Sequence, residues 1–230
     1  MKKIKIPSEI VYVLAIILLP LAVAMTAAAD FGVSMVVAPA YILYLKFPVM
    51  TFGTYTYLVD GLVFIIFCLF MKKIKIPYFF AFITSVIYGF ILDGWRAIVP
   101  LLNSNITEPG SMTMPIRIIL FAGGELLTTF AVALFFRTYI PPQVIDMFVK
   151  GIAEKYKLNR TKFKIITDAA LLTISVALTL IFFGKLNGIG IGTVIIAAVN
   201  GVLIGLFGKL FDKIIEVKPL SEKAERFFAL

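Results

Sequence analysis

IVYVLAIILLPLAVAMTAAA, the stretch Ile10–Ala29, contains no charged side chain. At ~1.5 Å per helical residue it is long enough to cross a bilayer core about 30 Å thick. Five further apolar stretches are of similar length: Phe52–Met71, Ile76–Trp95, Ile116–Phe136, Ile165–Phe183 and Ile189–Phe211. Together they make up about half of the 230 residues, and the connectors are too short to build a soluble core beside them. The expected fold is therefore all-α: one polytopic membrane domain over 1–230 with six transmembrane helices. Hydrophobic residues are 61% of the chain, against roughly 45–50% in soluble domains.

The basic N-terminus and the alanines at 27–29 look like a secretory signal. The apolar run is too long for that role, and nothing soluble follows it, so it is expected to be retained as the first span. Cys68 is the single cysteine, which rules out a disulfide framework, and there is no histidine. Histidine metal sites, histidine bases and Ser-His-Asp chemistry are thereby excluded. No zinc-protease, nucleophile-elbow or phosphate-loop motif is present, so neither an enzyme nor a cofactor is expected. Asn105-Ile-Thr matches a glycosylation acceptor, of consequence only in a eukaryotic secretory pathway.

The net charge of +9 points to topology rather than to nucleic acid. With the N-terminus cytoplasmic, inner segments hold 18 of the 22 basic residues, including Lys72, Lys73, Lys75 and the run from Lys150 to Lys164. Lys46, Arg96, Arg117 and Lys185 lie outside. The positive-inside rule then puts both termini in the cytoplasm, with anionic lipid headgroups as partners for the lysines.

Two connectors are more than turns. Asp30–Thr51 is largely apolar but broken by Gly32 and Pro39, as expected of a re-entrant or interfacial helix. Pro141–Lys164 begins Pro141-Pro142 and then sets Val144, Phe148 and Ile152 on one helical face, as expected of an interfacial helix. Each half of the chain, 8–97 and 113–213, thus reads as span, short helix, span, span, followed by a cytoplasmic tail at 214–230. Leu21-Ala-Val-Ala-Met echoes Phe130-Ala-Val-Ala-Leu, Asp60 echoes Asp168, and Tyr88-Gly89 echoes Asn200-Gly201. Three crossings per half would invert the second half relative to the first, an arrangement common in transporters. The repeated MKKIKIP at 1–7 and 71–77 has a different offset and reads as two helix-entry signals.

A charge inside hydrocarbon costs ~2.5–3.5 kcal/mol on insertion scales, so acids within spans need a reason. Asp60 and Glu125 lie deepest, too deep for short side chains to reach interfacial water. They are the leading candidates to line a polar pathway for a cation, a proton or a solute. Asn200, in mid-span, either meets solute or bonds a neighbouring helix. Asp30, Asp93 and Asp168 lie near helix ends, where water or Arg96 and Arg117 can satisfy them, though Asp93 and Asp168 stay candidates for the pathway. Tyr55 and Tyr57 beside Asp60 suggest an aromatic-plus-acid pocket for a cation; the other tyrosines and Trp95 fit an interfacial belt. Gly201 and Gly205 have the small-xxx-small spacing of close helix packing. Gly188–Gly192 reads as an unwound entry to the last span.

The segments ADFGVSMVVAPAYIL at 29–43, SVIYGFILDG at 85–94, PPQVID at 141–146 and GIGIGTVI at 188–195 resemble the bacterial YczE/YyaS/YitT-type membrane proteins, over most of the chain to about Lys213. Asp146 departs from that pattern, since family members more often place the acid closer to the proline. The resemblance implies a prokaryotic inner-membrane protein of about six helices and assigns no ligand residue. The expected function is a small secondary transporter or solute-binding membrane protein. The alternatives are a scaffold for a partner protein or a homo-oligomer, and the substrate-capture subunit of a vitamin importer.

Overall fold

In the computed structural model, which describes residues 3–72, 75–108 and 111–228, six helices are long and apolar enough to span a membrane. They are α1 (Ser8–Ala29), α3 (Phe52–Met71), α4 (Ile76–Ile98), α5 (Met114–Phe135), α7 (Arg160–Phe183) and α8 (Ile191–Ile214). Between them lie α2 (Ala38–Lys46), a 3-10 turn at Pro100–Leu102 and α6 (Val144–Lys155); α9 (Glu222–Phe228) follows α8. Local chemistry sets several ends. Thr51 accepts a hydrogen bond from the Thr54 amide and Asn159 one from the Lys162 amide, which caps α3 and α7. Prolines sit in the first turns of α2, α4 and α5, where no amide hydrogen is missed. The cap at Asn159 starts α7 five residues earlier than the apolar run implies.

The all-α expectation holds, with one short two-stranded sheet beside the helices. Strand β1 (Ile4–Pro7) pairs in parallel with β2 (Ile215–Lys218), with Ile4 opposite Ile215 and Pro7 opposite Lys218. Since β1 leads into α1 and β2 leaves α8, both chain ends lie on one face, as an even number of crossings requires. Part of each MKKIKIP copy lies outside the described residues.

Helices α1 and α5 run antiparallel through the centre. They meet at Gly124, where a Cβ would fall 2.9 Å from the Ala22 carbonyl oxygen. Beside α1 runs α4, joined by Tyr12 to Thr84 at 2.6 Å and by Trp95 Nε1 donating to the Ile17 carbonyl at 3.0 Å. Beside α5 runs α8, with Phe130 edge-on to Phe207 and Phe211. The short helices bridge the halves. Helix α2 packs on α3 through Tyr41 and Phe52 and reaches α7 through Lys46, which donates to the Phe182 carbonyl. Helix α6 packs on α3 through Gly151 and Phe67 and on α7 through Phe148 and Phe163.

The α6 helix starts level with Ser85, near the middle of α4, where the Val144 amide donates to Ser85 Oγ at 3.3 Å. It ends at the last turn of α3, where Lys155 donates to the Phe70 and Met71 carbonyls. A one-sided interfacial helix does not describe it: Ile145, Met147, Val149 and Ala153 are buried as well as Val144 and Ile152.

The expected unwound entry to α8 is an extended segment held by the stretch after α1. The Val33 amide donates to the Gly188 carbonyl, the Gly192 amide to the Phe31 carbonyl, and Thr193 Oγ1 to the Val33 carbonyl. Gly32, at φ +103°, sits so close that a Cβ would fall 2.5 Å from the Gly190 nitrogen. Only glycine meets both demands.

Candidate functional site

Helices α7 and α8 are consecutive, yet α7 lies on α2 and α6 while α8 lies on α5. The space between them is a cavity of about 880 Å³, within the ~300–1,000 Å³ of ligand pockets. Positions four apart on helices share a face, and this places the wall residues. Asp146 and Lys150 come from α6; Arg160, Lys164 and Asp168 from α7; Ile196, Asn200 and Ile204 from α8. The first half of the chain supplies Ser34, Met35 and Val36, just ahead of α2. Phe228 of α9 stands at the rim, its ring 5.9 Å from that of Tyr139, another wall residue. Burial and Glu9, which accepts the Tyr139 hydroxyl proton at 2.6 Å, push that phenol up to about 12.

Lys164 and Asp168 form an ion pair at 2.8 Å. Lys150 and Arg160 have no carboxylate partner among the described residues. Asn200 presents a buried Oδ1 with no hydrogen-bond partner. Burial pushes the Asp146 carboxyl above its ordinary range, with Asp168 adding and Lys164 and Arg160 opposing. A carboxyl raised by folding favours the folded state at low pH, and that contribution fades as pH rises through its folded value. Asp146→Asn is therefore expected to melt close to the parent chain at pH 4 and above it at pH 8. A gap that narrows with pH would mean that the cavity cations hold Asp146 ionised.

The other sequence candidates lie elsewhere. Asp60 is buried beside the Ser85 hydroxyl, with Tyr88 and the Asp146 carboxyl near it. Glu125 is buried in α5 with Oε1 unpartnered. Neither is on the cavity wall; both wall acids, Asp146 and Asp168, belong to the second half. Asp93 accepts from the Gly53 amide at 2.9 Å and from Thr51, which ties the start of α3 to α4. No aromatic-plus-acid pocket forms around Asp60. Tyr55 donates to the Phe47 carbonyl, and Tyr57 leans on Gly89 and turns its hydroxyl to Thr54. Asp30 caps α1 and pairs with Arg117 at 3.4 Å.

Gly201 and Gly205 are a correction. No neighbour lies within 4 Å of a Cβ built on either, and Gly201 is part of the cavity wall. The close helix contacts fall on Gly53 with Gly89, and on Gly124. Two residues gain importance that spacing did not reveal. Asp146 faces the cavity because α6 is drawn inward. Arg96, 6% exposed, bonds the Tyr44 hydroxyl, Ser104 and the Leu102 carbonyl and lies over the Tyr44 ring. Among the described residues no three acidic or cysteine side chains gather as a metal site.

No curated protein and no solved structure matches the chain. Residues 6–209 match the family model described as a family of unknown function, DUF6198. That match takes in nearly everything from β1 to the last turns of α8, and the chain, with its six helices long and apolar enough to span a membrane, belongs to this family.

Proposed function

We propose that the chain is a small secondary transporter whose two inverted halves, 8–97 and 113–213, enclose one solute site. The observation that carries this reading is the cavity, bounded by the α2 entry from one half and by α6, α7 and α8 from the other. Exchange symmetry in the packing supports it. The pairing of α1 with α4 matches α5 with α8, and α2 on α3 and α7 matches α6 on α7 and α3. The symmetry breaks where α3 packs tightly on α4 while α7 stands away from α8, and where α6 packs on α4 without a matching contact of α2 on α8. One pair closed and its counterpart open is the asymmetry expected of a carrier caught on one side of its cycle.

In this reading α2 and α6 are re-entrant helices that start near mid-membrane. The cavity opens toward the face holding both chain ends, which the lysine bias makes cytoplasmic. The likeness to YczE/YyaS/YitT-type proteins supports a bacterial inner-membrane setting. A scaffold reading draws on one observation, that few residues of α3, α7 and α8 are buried within the chain, which leaves broad faces for a partner.

Accessibility tests the carrier without a known solute. In a Cys68→Ser background, Asn200→Cys should react with an impermeant maleimide from the tail side at rest and from both sides during cycling. In proteoliposomes, uptake of amino acids, cations or vitamins should fall at least about tenfold in Asp168→Asn with folding intact. Labelling from one side under every condition, with no flux, sinks the carrier and favours the scaffold.

A further inference from the structure

We propose that the slot between α7 and α8 binds an anionic phospholipid, its headgroup on Lys150 and Arg160 and an acyl chain lying between the two helices. This names the ligand of the cavity described above; it rests on that cavity being a binding site and does not require the halves to alternate. The first observation is that the cavity, besides opening toward the face of the chain ends, is open to the side. Ile165 and Val202 line it while remaining 63% and 65% exposed. Exposure on a spanning helix means contact with lipid, so the slot opens sideways into the bilayer. A wholly hydrophilic solute held there would face acyl chains across the gap, whereas a lipid tail can enter along it.

The second observation is how charge is distributed on the wall. Much of the wall is apolar, with Ile196 and Ile204 of α8, Phe135 and Met147 among its residues. Arg160 opens α7 and Lys150 lies on α6, and neither has a carboxylate partner among the described residues. Lys164 is already engaged by Asp168. Two uncommitted cations beside an apolar slot complement a phosphate diester with a hydrocarbon tail. A guanidinium adds the planar fork that grips phosphate oxygens in pairs.

The test uses the full chain, stripped of lipid in detergent and offered equal phosphatidylglycerol and phosphatidylcholine, with retained lipid read by native mass spectrometry. One phosphatidylglycerol per chain should be held about tenfold or more over phosphatidylcholine. Arg160→Gln with Lys150→Gln should erase that preference. Gly201→Trp, which points into open space and so should fold, should lower retention of both lipids by blocking the slot. Melting curves in detergent check that each variant is folded. Equal retention of the two lipids overturns the proposal, as does a preference that survives the double substitution. Inorganic phosphate displacing the lipid at equal concentration also overturns it, by assigning the cations to a free anion. If the lipid binds and Asn200→Cys labels from one face alone, the site stands and the carrier falls.

Discussion

Gly53→Val is expected to leave almost no folded protein. A Cβ on Gly53 would lie 2.0 Å from the Gly89 carbonyl oxygen, 2.7 Å from the Gly89 carbonyl carbon and 2.6 Å from Asp93 Oδ2. Two of these three atoms are backbone, so no side-chain rotation relieves the clash. Gly89 faces the same limit, since its own Cβ would lie 2.6 Å from the Gly53 carbonyl oxygen. Separating α3 from α4 would break the Gly53 amide bond to Asp93 and lift Tyr57 off Phe90. Overpacking costs ~1–3 kcal/mol even where side chains can yield, and here they cannot. Gly205→Ala is the control. It meets nothing within 4 Å, so its stability in detergent should equal that of the parent chain or exceed it by up to about 1 kcal/mol. Detergent thermal unfolding, followed by size-exclusion recovery, separates the two. Equal losses in both would show that the close crossing lies on α8 after all.

Arg96→Leu is expected to lower the melting temperature by about 5–10 °C, the equivalent of ~2–3 kcal/mol in a chain of this size. Two effects compete. Removing a buried guanidinium relieves its desolvation cost, which favours the leucine. Against this, Nη2 donates to the Tyr44 hydroxyl at 2.8 Å and to Ser104 Oγ at 2.9 Å, and Nε donates to the Leu102 carbonyl at 3.3 Å. Hydrogen bonds from a charged donor contribute ~1.5–3 kcal/mol each. The Tyr44 ring at 4.6 Å and the Phe52 ring at 5.5 Å add cation–π attraction. The bonded side should win, because the leucine would leave the Leu102 carbonyl without its donor. Arg96→Lys should recover only part of the loss, since one ammonium cannot serve three acceptors spread over Tyr44 of α2, the Leu102 carbonyl of the 3-10 turn and Ser104. If Arg96→Leu melts at or above the parent chain, desolvation dominates and Arg96 is there for some reason other than stability.

Particular elements show why some features were legible in the sequence. Each span announces itself through composition, because every residue within it must tolerate hydrocarbon. The Asn159 cap and the prolines at first turns act within a few residues, so they too are readable. The acids were harder to place. Asp60 and Glu125 lie well inside their apolar runs, but depth along a helix does not say which neighbour a side chain faces. Asp60 turns to Ser85 and stays off the cavity. Asp146 looked like the polar side of a surface helix and instead lines the cavity, because α6 starts at the level of Ser85. Gly201 and Gly205 carry a packing motif that finds no partner among the described residues, while Gly53, in no such motif, makes the closest contact, with Gly89.

The amino-acid order alone marks six helices as long and apolar enough to cross a membrane and sets two shorter helices between them. It does so because transfer into hydrocarbon is scored residue by residue. Tertiary packing alone decided which faces meet, that α7 and α8 part, and which charges border the gap. Inside a bilayer an apolar face is equally content against lipid or against another helix. Hydrophobicity therefore cannot choose between them, and shape at a few glycines, together with a handful of long-range hydrogen bonds, does.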